Sequence, residues 1–94
     1  MNEKLIEKKL REMVKRRGGL ALKWASPFYT GMPDRLVLLP GGMTYFVELK
    51  TTSKNPSAVQ IQAMKKLTAL GFQAFVIDSQ EGLDTFQKLI NDGI

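Results

Sequence analysis

The sequence predicts an α/β fold in which helices flank a mixed sheet of four strands, in the order αβββαβα. Two observations predict this fold class. Three segments repeat apolar residues every three or four positions, the period of an amphipathic helix, and four short apolar runs follow Gly or Pro residues, as strands often do. The fourth strand directly follows a helix, so a right-handed crossover joins it to the third strand and the two lie parallel.

The first helix is predicted at residues 3–17. Asn2 can cap its start, and Gly18 with Gly19 ends it. One face repeats apolar residues at helical spacing, namely Leu5, Ile6, Leu10, Met13 and Val14. The opposite face is cationic and carries Lys8, Lys9, Arg11, Lys15, Arg16 and Arg17.

Three strands are predicted next, at residues 20–26, 35–40 and 43–51. The segment between the first two is interrupted by residues that favour a loop, namely Pro27, Gly31 and Pro33. A hairpin turn between the second and third strands is indicated by Pro40, Gly41 and Gly42. A polar connector at 52–56 follows.

The rest of the chain alternates helix, strand and helix. A helix at 57–70 ends at Gly71, and its predicted buried stripe is Val59, Ala63, Leu67 and Leu70. A strand is predicted at 72–78. The last helix, at 81–92, carries the apolar residues Leu83, Phe86, Leu89 and Ile90. No repeat or linker interrupts this series, so we expect a single domain over residues 1–94.

Composition excludes several kinds of catalytic site. The chain has neither cysteine nor histidine, which rules out disulfides, thiolate metal sites, Ser-His-Asp triads and histidine-ligated zinc. Its 14 Lys and Arg residues against 9 Asp and Glu give a net charge of +5, which favours a polyanionic partner such as nucleic acid. No apolar run approaches ~18 residues, and residues 1–17 lack the apolar centre of a signal peptide. We therefore expect no membrane partner and an intracellular location.

Charged side chains occupy the ends of the second and third strands, where a core strand would be apolar. Side chains alternate across a strand, so Glu48 and Lys50 project from one side about 6.6 Å apart. If the two strands form a hairpin, Asp34 lies near both. Two close carboxylates repel each other, and a cation such as Mg²⁺, which takes oxygen ligands, relieves that repulsion and can support phosphodiester hydrolysis. The structural alternative is that Asp34 caps a turn and that Glu48 and Lys50 form an ordinary ion pair.

The pattern of Pro33-Asp34, thirteen further residues, then Glu48-Leu49-Lys50 resembles the PD-(D/E)XK nuclease superfamily. Within it, the chain is most similar to stand-alone phage members of the VRR-Nuc (virus-type replication–repair nuclease) family. The similarity extends over nearly the whole chain and includes Ile6-Glu7, Gly18-Gly19, Lys23, Gly31 to Arg35, Phe46 to Lys50, Gln60, Leu67, Leu70 and Gly71-Phe72. The fold that this resemblance implies is a restriction-endonuclease-like core.

The resemblance implies a metal-dependent catalytic centre. Asp34 and Glu48 would bind Mg²⁺ or Mn²⁺ together with the backbone carbonyl of Leu49, and Lys50 would be the catalytic lysine. No small-molecule cofactor is implied.

Two further residues have a role by resemblance and a structural alternative. Glu7 would reach the metal, directly or through water, but it also lies four residues before Arg11, an ion-pair spacing on a helix. Gln60 would support the lysine or the substrate phosphate, but its spacing from Ser57 is also that of a capping box.

Several basic residues are candidate contacts to DNA. Lys23 contacts a phosphate or is simply solvated, and Arg35 binds phosphate or pairs with a carboxylate. On the cationic helix, Lys15, Arg16 and Arg17 would follow the phosphate backbone, unless that face is only solvated.

Three aromatic residues flank the loop before the site, namely Trp24, Phe28 and Tyr29. Aromatic side chains near basic residues can stack on unpaired bases. A small domain also needs such side chains for its core, and we favour the core interpretation for all three.

The function that the resemblance implies is metal-dependent endonucleolytic hydrolysis of branched DNA, such as four-way junctions, in phage DNA replication, recombination or repair inside the host cell. It also implies a homodimer, because two antiparallel strands cut symmetrically need two sites related by a two-fold axis. The helix from Leu83 to Ile90, or the loop at Phe28 and Tyr29, is expected to supply the interface. The alternatives are an inactive nucleic-acid-binding module with a nuclease fold, or a nuclease acting on a flap, a nicked duplex or RNA.

Overall fold

The computed structural model describes residues 1–51 and 54–92. Its elements are α1 (Glu3–Arg16), β1 (Leu20–Lys23), β2 (Arg35–Leu39), β3 (Met43–Leu49), α2 (Ala58–Ala69), β4 (Gln73–Ile77) and α3 (Gln80–Asp92). The order and type of the elements agree with the sequence prediction, whereas each strand ends before its predicted last residue, β1 and β3 by more than one residue. Of the connector predicted at 52–56, residues 52 and 53 lie outside the described part.

The strands form one sheet in the order β1-β2-β3-β4. β1, β2 and β3 are antiparallel neighbours, with Lys23 opposite Arg35 and Arg35 opposite Val47. β4 runs parallel to β3, with Leu49 opposite Ile77, as the crossover predicted. The start of β2 and the ends of β1, β3 and β4 therefore share one end of the sheet, which we call the site end. The opposite end is the distal end.

The main core lies between the sheet and a layer formed by α1 and α3. Its residues come from both helices and from alternate positions of β2, β3 and β4, and they are Ile6, Leu10, Met13, Val14, Val37, Leu39, Tyr45, Val47, Leu49, Ile77, Leu83, Phe86 and Ile90. Close packing of α1 depends on Gly19, where a Cβ would lie 2.3 Å from the carbonyl oxygen of Leu38. Burial of this apolar surface is the main contribution to the stability of the fold.

α2 lies on the opposite face of the sheet, against the outer strand β4. Ala63 and Leu67, in its middle turns, are buried. Val59 and Leu70, which the sequence pattern placed in the same buried stripe, are 49% and 62% exposed, so that part of the prediction is wrong. The reason is that an outer strand offers a narrow surface, which covers only the middle of the helix. No described helix is both long and apolar enough to cross a membrane.

All three helices begin at the site end of the sheet. α3 follows the end of β4, and α2 follows the end of β3 before it returns to the start of β4. α1 ends at the start of β1, which lies at the distal end beside Leu38, so α1 too begins at the site end. Aligned peptide dipoles place positive partial charge at helix N-termini. The site end therefore has a positive backbone potential before any side chain is counted.

Candidate active site

Asp34 and Glu48 face each other across β2 and β3 at the site end. The register that sets Arg35 opposite Val47 also sets Asp34 opposite Glu48, on the face of the sheet that carries α2. The backbone N–H of Leu49 donates to Asp34 Oδ1 at 3.4 Å, which holds the aspartate against the end of β3. The hairpin geometry expected from the sequence thus brings the two carboxylates together.

Glu48 is the more buried of the two carboxylates, with 6% of its surface exposed. Burial raises the pKa of the Glu48 carboxyl, and the negative charge of Asp34 raises it further. Lys50 acts in the opposite direction, because its Nζ lies 3.6 Å from Glu48 Oε2. The net direction is upward, so the ionised Glu48 carboxylate is held where a further positive charge would stabilise it.

The backbone carbonyl of Leu49 points toward the start of β2, where Asp34 lies. The N–H of Lys50 donates to the carbonyl of Ile77 at 3.1 Å, toward β4. Successive residues of a strand direct their N–H and C=O groups to opposite sides, so both groups of Leu49 point toward β2. The residue opposite Leu49 in that register is Pro33, which has no N–H to donate. Proline before the aspartate therefore leaves the Leu49 carbonyl available to another partner.

This set of donors fits a hard divalent cation. Two carboxylates and one carbonyl are oxygen ligands of the kind that Mg²⁺ and Mn²⁺ accept, and Mg²⁺ usually retains several waters. Across residues 1–51 and 54–92, no three Asp, Glu, His or Cys side chains form a cluster that could hold a metal. Water would therefore complete the coordination. A cation here would offset both effects that raise the pKa of Glu48.

Arg35 connects the site to α1. Alternation along β2 places its side chain on the α1 face, where it is 3% exposed. The guanidinium donates to Asp34 Oδ2 at 2.7 Å and to the carboxylate of Glu7. Of the two alternatives for Arg35, the structure shows the carboxylate pairing, and the described ion pairs join Glu7 to Arg35 rather than to Arg11.

Sequence analysis missed this bridge between α1 and the sheet, although a signal was present. Glu7 precedes Leu10 by three positions and Val14 by seven, so it belongs to the buried stripe of α1 and not to its solvated face. Arg35 likewise occupies an inward-facing position of β2, in line with Val37. An acidic and a basic residue on two facing apolar surfaces indicate a buried pair, since neither is stable there alone.

Gln60 forms a capping box at the start of α2. The N–H of Ser57 donates to Gln60 Oε1 at 2.9 Å, and the N–H of Gln60 donates to Ser57 Oγ at 3.2 Å. The structure thus shows the helix-capping alternative, and in the described chain no hydrogen bond joins Gln60 to Lys50. The box uses only the amide oxygen, so a role for the amide nitrogen toward the lysine or a phosphate stays a prediction.

The basic residues that were candidate DNA contacts lie in different places. Lys23 is exposed at the site end, where β1 finishes. Lys15 is exposed on the last turn of α1, in a groove beside β1. Arg16 and Arg17 follow it at the distal end, so α1 separates them from the two carboxylates by most of its length.

The three aromatic residues before the site divide into two groups. Trp24 is half-buried and packs on Phe46, with ring centroids 5.9 Å apart, on the sheet face away from the main core. Phe28 is fully exposed and Tyr29 is 45% exposed, so the core interpretation is wrong for both. The backbone explains the difference, because the N–H of Trp24 donates to the carbonyl of Asp34 at 3.0 Å. This bond closes the base of the loop, and the residues between its ends extend beyond the sheet.

Comparison with known proteins supports a nuclease. No family model matches the chain. Over 81 residues it is 44% identical to "Putative nuclease p44" of Acyrthosiphon pisum secondary endosymbiont phage 1, a match that covers 86% of this chain and 87% of that protein. A solved structure described as "VRR_NUC domain" superposes with a TM-score of 0.84 at 30% identity, over 92% of this chain and 94% of that one. The similarity therefore concerns the whole arrangement of elements and not only a short motif.

Proposed function

We propose that this chain, which belongs to the VRR-Nuc family of nucleases, is a metal-dependent endonuclease that hydrolyses phosphodiester bonds in branched DNA. The observation that carries the proposal is the buried carboxylate of Glu48, which lies opposite Asp34 and beside Lys50 at the end of an otherwise apolar sheet. A fold with no catalytic use for this arrangement gains nothing from the like-charge pair, because burial of such a pair costs stability.

The residues that would hold Mg²⁺ or Mn²⁺ are Asp34, Glu48 and, through its backbone carbonyl, Leu49. A bound divalent cation supplies charge stabilisation at the scissile phosphate and a nucleophile at neutral pH. Glu48 holds the ammonium of Lys50 at 3.6 Å, so the lysine is oriented at the same end of β3. Its positive charge would hold the attacking water or oppose the charge that develops on the phosphate.

Glu7 and Gln60 are assigned supporting roles. Glu7 acts on Asp34 through Arg35, whose guanidinium contacts both carboxylates. This bridge fixes the orientation of the Asp34 carboxylate and offsets its negative charge. Gln60 lies in the first turn of α2 at the site end, and its amide nitrogen would contact Lys50 or a substrate phosphate once DNA is bound.

Two copies are proposed to act together, because one site cuts one strand and a symmetric branched substrate presents two. Leu83, Phe86 and Ile90 belong to the core, so the apolar stripe of α3 is not available as the dimer interface. The exposed aromatic loop at Phe28 and Tyr29 keeps that role as a proposal. Light scattering after size-exclusion chromatography tests the dimer, and a strict monomer at micromolar concentration would rule it out.

Cleavage assays with the wild type and Lys50→Ala test the nuclease itself. Labelled four-way junction, flap, nicked duplex, linear duplex and RNA are incubated with Mg²⁺, Mn²⁺ or EDTA. We expect metal-dependent cutting by the wild type, fastest on a branched DNA, and retained folding and DNA binding but no cutting by Lys50→Ala, since a residue that acts in the transition state affects rate rather than binding. Lys65→Ala, an exposed lysine on α2, is the matched control and should cut normally.

Each outcome of this assay separates the candidate functions. A wild type that binds DNA but cuts none of the substrates in any metal is an inactive binding module. Cutting of RNA alone, or of a flap or nick in preference to the junction, changes the substrate. Cutting by Lys50→Ala at the wild-type rate removes that residue from the catalytic centre. The similarity to a protein named as a phage nuclease supports a phage nuclease, and a role in phage DNA replication, recombination or repair within the infected cell is part of the proposal.

A further inference from the structure

The outer side of β1 and the neighbouring face of α1 enclose a groove that the catalytic centre does not use. Its volume is about 560 Å³, and it is lined by Lys8, Arg11, Glu12, Lys15 and the backbone and side chains from Gly19 to Leu22. The three cations lie at positions i, i+3 and i+7 of one helix, so they share a single face. Glu12 supplies the one negative charge of the lining.

A second, smaller cavity continues this groove toward the site end. It measures about 180 Å³ and is lined by Glu7, Arg11, Ala21, Lys23 and Arg35. Arg11 and Ala21 line both cavities, so the two are adjacent. Arg35 is also the residue whose guanidinium bonds Asp34. The two cavities thus form one path on the α1 side of the sheet, from the distal part of α1 to Arg35, which contacts Asp34.

Apart from Arg35, the cations of this path form none of the ion pairs seen among the described residues. Ion pairs join Arg35 to Glu7, Arg35 to Asp34, and Lys50 to Glu48, and none of these includes Lys8, Arg11, Lys15 or Lys23. Arg11 would have Glu7 as its helical partner, but Glu7 is taken by Arg35. Lys8, Arg11, Lys15 and Lys23 are all exposed along one groove, where four cations outnumber the single exposed acidic residue, Glu12. A row of like charges is unfavourable for the free protein and is relieved by a polyanion.

We propose that this path is the binding site for the phosphate backbone of one DNA strand, which it leads to the catalytic centre. The proposal rests on the proposed nuclease function. From Lys8 to Lys15 the helix rises about 10 Å, which spans about three nucleotides of one strand at about 3.4 Å each. β1 is the first strand of the sheet, so its outer edge also offers backbone N–H groups to phosphate oxygens. Such contacts recognise the backbone and carry no base sequence.

The two cavities also distinguish among the basic residues that the sequence indicated as candidate DNA contacts. Lys15 and Lys23 line the path, whereas Arg16 and Arg17 line neither of its two cavities. Lys8 and Arg11 were cationic-face residues without an assigned role, and they now lie in its centre. Replacing Lys8, Arg11, Lys15 or Lys23 should therefore weaken the salt dependence of DNA binding, whereas replacing Arg16 should not.

The test measures DNA binding in EDTA, with Lys50→Ala as the background so that no cleavage interferes. Fluorescence anisotropy of a labelled duplex is recorded over a series of salt concentrations for this protein, for Lys8→Gln with Lys15→Gln, and for Lys65→Gln with Lys66→Gln on α2. The two double variants remove equal charge from exposed positions on opposite faces of the sheet. We expect the groove variant to lower the slope of log K against log salt by about 2, at roughly 1 for each phosphate contact, and the α2 variant to leave it unchanged.

Two results would overturn the proposal. An unchanged slope in the groove variant shows that the strand binds elsewhere, and equal losses in both double variants show only a general effect of net charge. Melting curves of the variants exclude unfolding as a cause. Because binding is measured without metal, a protein that cuts no substrate would refute the nuclease while this assay still decides the groove. Binding of an acidic peptide in place of DNA, with the same loss in the groove variant, would also reject DNA as the occupant.

Discussion

Replacing Glu48 by Gln should stabilise the metal-free protein and abolish its nuclease activity. The raised pKa of Glu48 means that the folded protein holds this proton more tightly than the unfolded chain does. The stability that depends on the proton is fully present below the ordinary carboxyl pKa and is lost as pH rises through the raised one. At neutral pH the ionised carboxylate therefore costs stability, and a neutral amide of the same shape removes that cost.

The size of the effect follows from the surroundings of the carboxylate. A single charge buried without a partner costs several kcal/mol, but Lys50 lies 3.6 Å away and offsets much of this. The remaining cost comes from burial and from Asp34. We expect a gain of about 1 kcal/mol, within the range found when active-site groups are replaced. For a domain of this size, that gain raises Tm by roughly 4–8 °C.

Thermal unfolding in EDTA at pH 5 and pH 8 measures this difference. The gain of Glu48→Gln over wild type should grow from pH 5 to pH 8, because only the wild type becomes charged. Glu12→Gln, an exposed glutamate outside the described ion pairs, is the matched control and should shift stability by less than about 0.5 kcal/mol. A variant that is less stable than wild type at pH 8, or a gain that does not change with pH, would refute the reasoning.

Three further predictions concern the supports of the site. Arg35→Met should lower the free energy of unfolding in urea by about 1–3 kcal/mol, because Glu7 and Asp34 lose their shared partner while each stays partly solvated. Arg16→Met is the exposed control, and an equal loss of stability in both variants would contradict the bridge. Ser57→Ala should cost about 1 kcal/mol in thermal unfolding through the lost helix cap but leave the cleavage rate unchanged. If Gln60→Ala behaves the same way, Gln60 has no catalytic part, whereas a cleavage loss beyond that of Ser57→Ala assigns it one. Mg²⁺ at a hundredfold excess over its Kd should stabilise the wild type by about 2.7 kcal/mol and so raise its Tm. The rise in Tm should be larger at pH 8 than at pH 5, because the metal competes with the proton on Glu48. Differential scanning calorimetry measures this rise, and Glu48→Gln should show a much smaller one.

The sequence was sufficient for the order of the elements and for the centre of the site, because both depend on local patterns. Two apolar runs separated by Pro40, Gly41 and Gly42 specify a hairpin, and the hairpin register then fixes Asp34 opposite Glu48. The parallel position of β4 follows from the handedness of its crossover. In each case, short-range chemistry determines a long-range contact.

Features that depend on packing between distant elements were not predictable in this way. Val59 and Leu70 have the spacing of a buried stripe, yet their exposure depends on how much of the sheet α2 covers. Phe28 is a large apolar residue of the kind found in cores, but its loop closes at Trp24 and leaves the Phe28 side chain exposed. The contact of Arg35 with Glu7 joins positions 28 residues apart, beyond the reach of a helical spacing rule.

The hairpin turn between β2 and β3 lies at the distal end and is a position where the chain can be extended. Gly41 and Gly42 have left-handed φ angles of 83° and 76°, so this tight turn requires glycine at both positions, but the space around them is open. The turn lies at the other end of the sheet from the carboxylates. A longer loop, a fluorescent label or an inserted domain in place of this turn should leave the two carboxylates in position, since loop length itself costs little free energy. Because the turn is far from the carboxylates, the fold could be joined to other domains there without change to Asp34, Glu48 or Lys50.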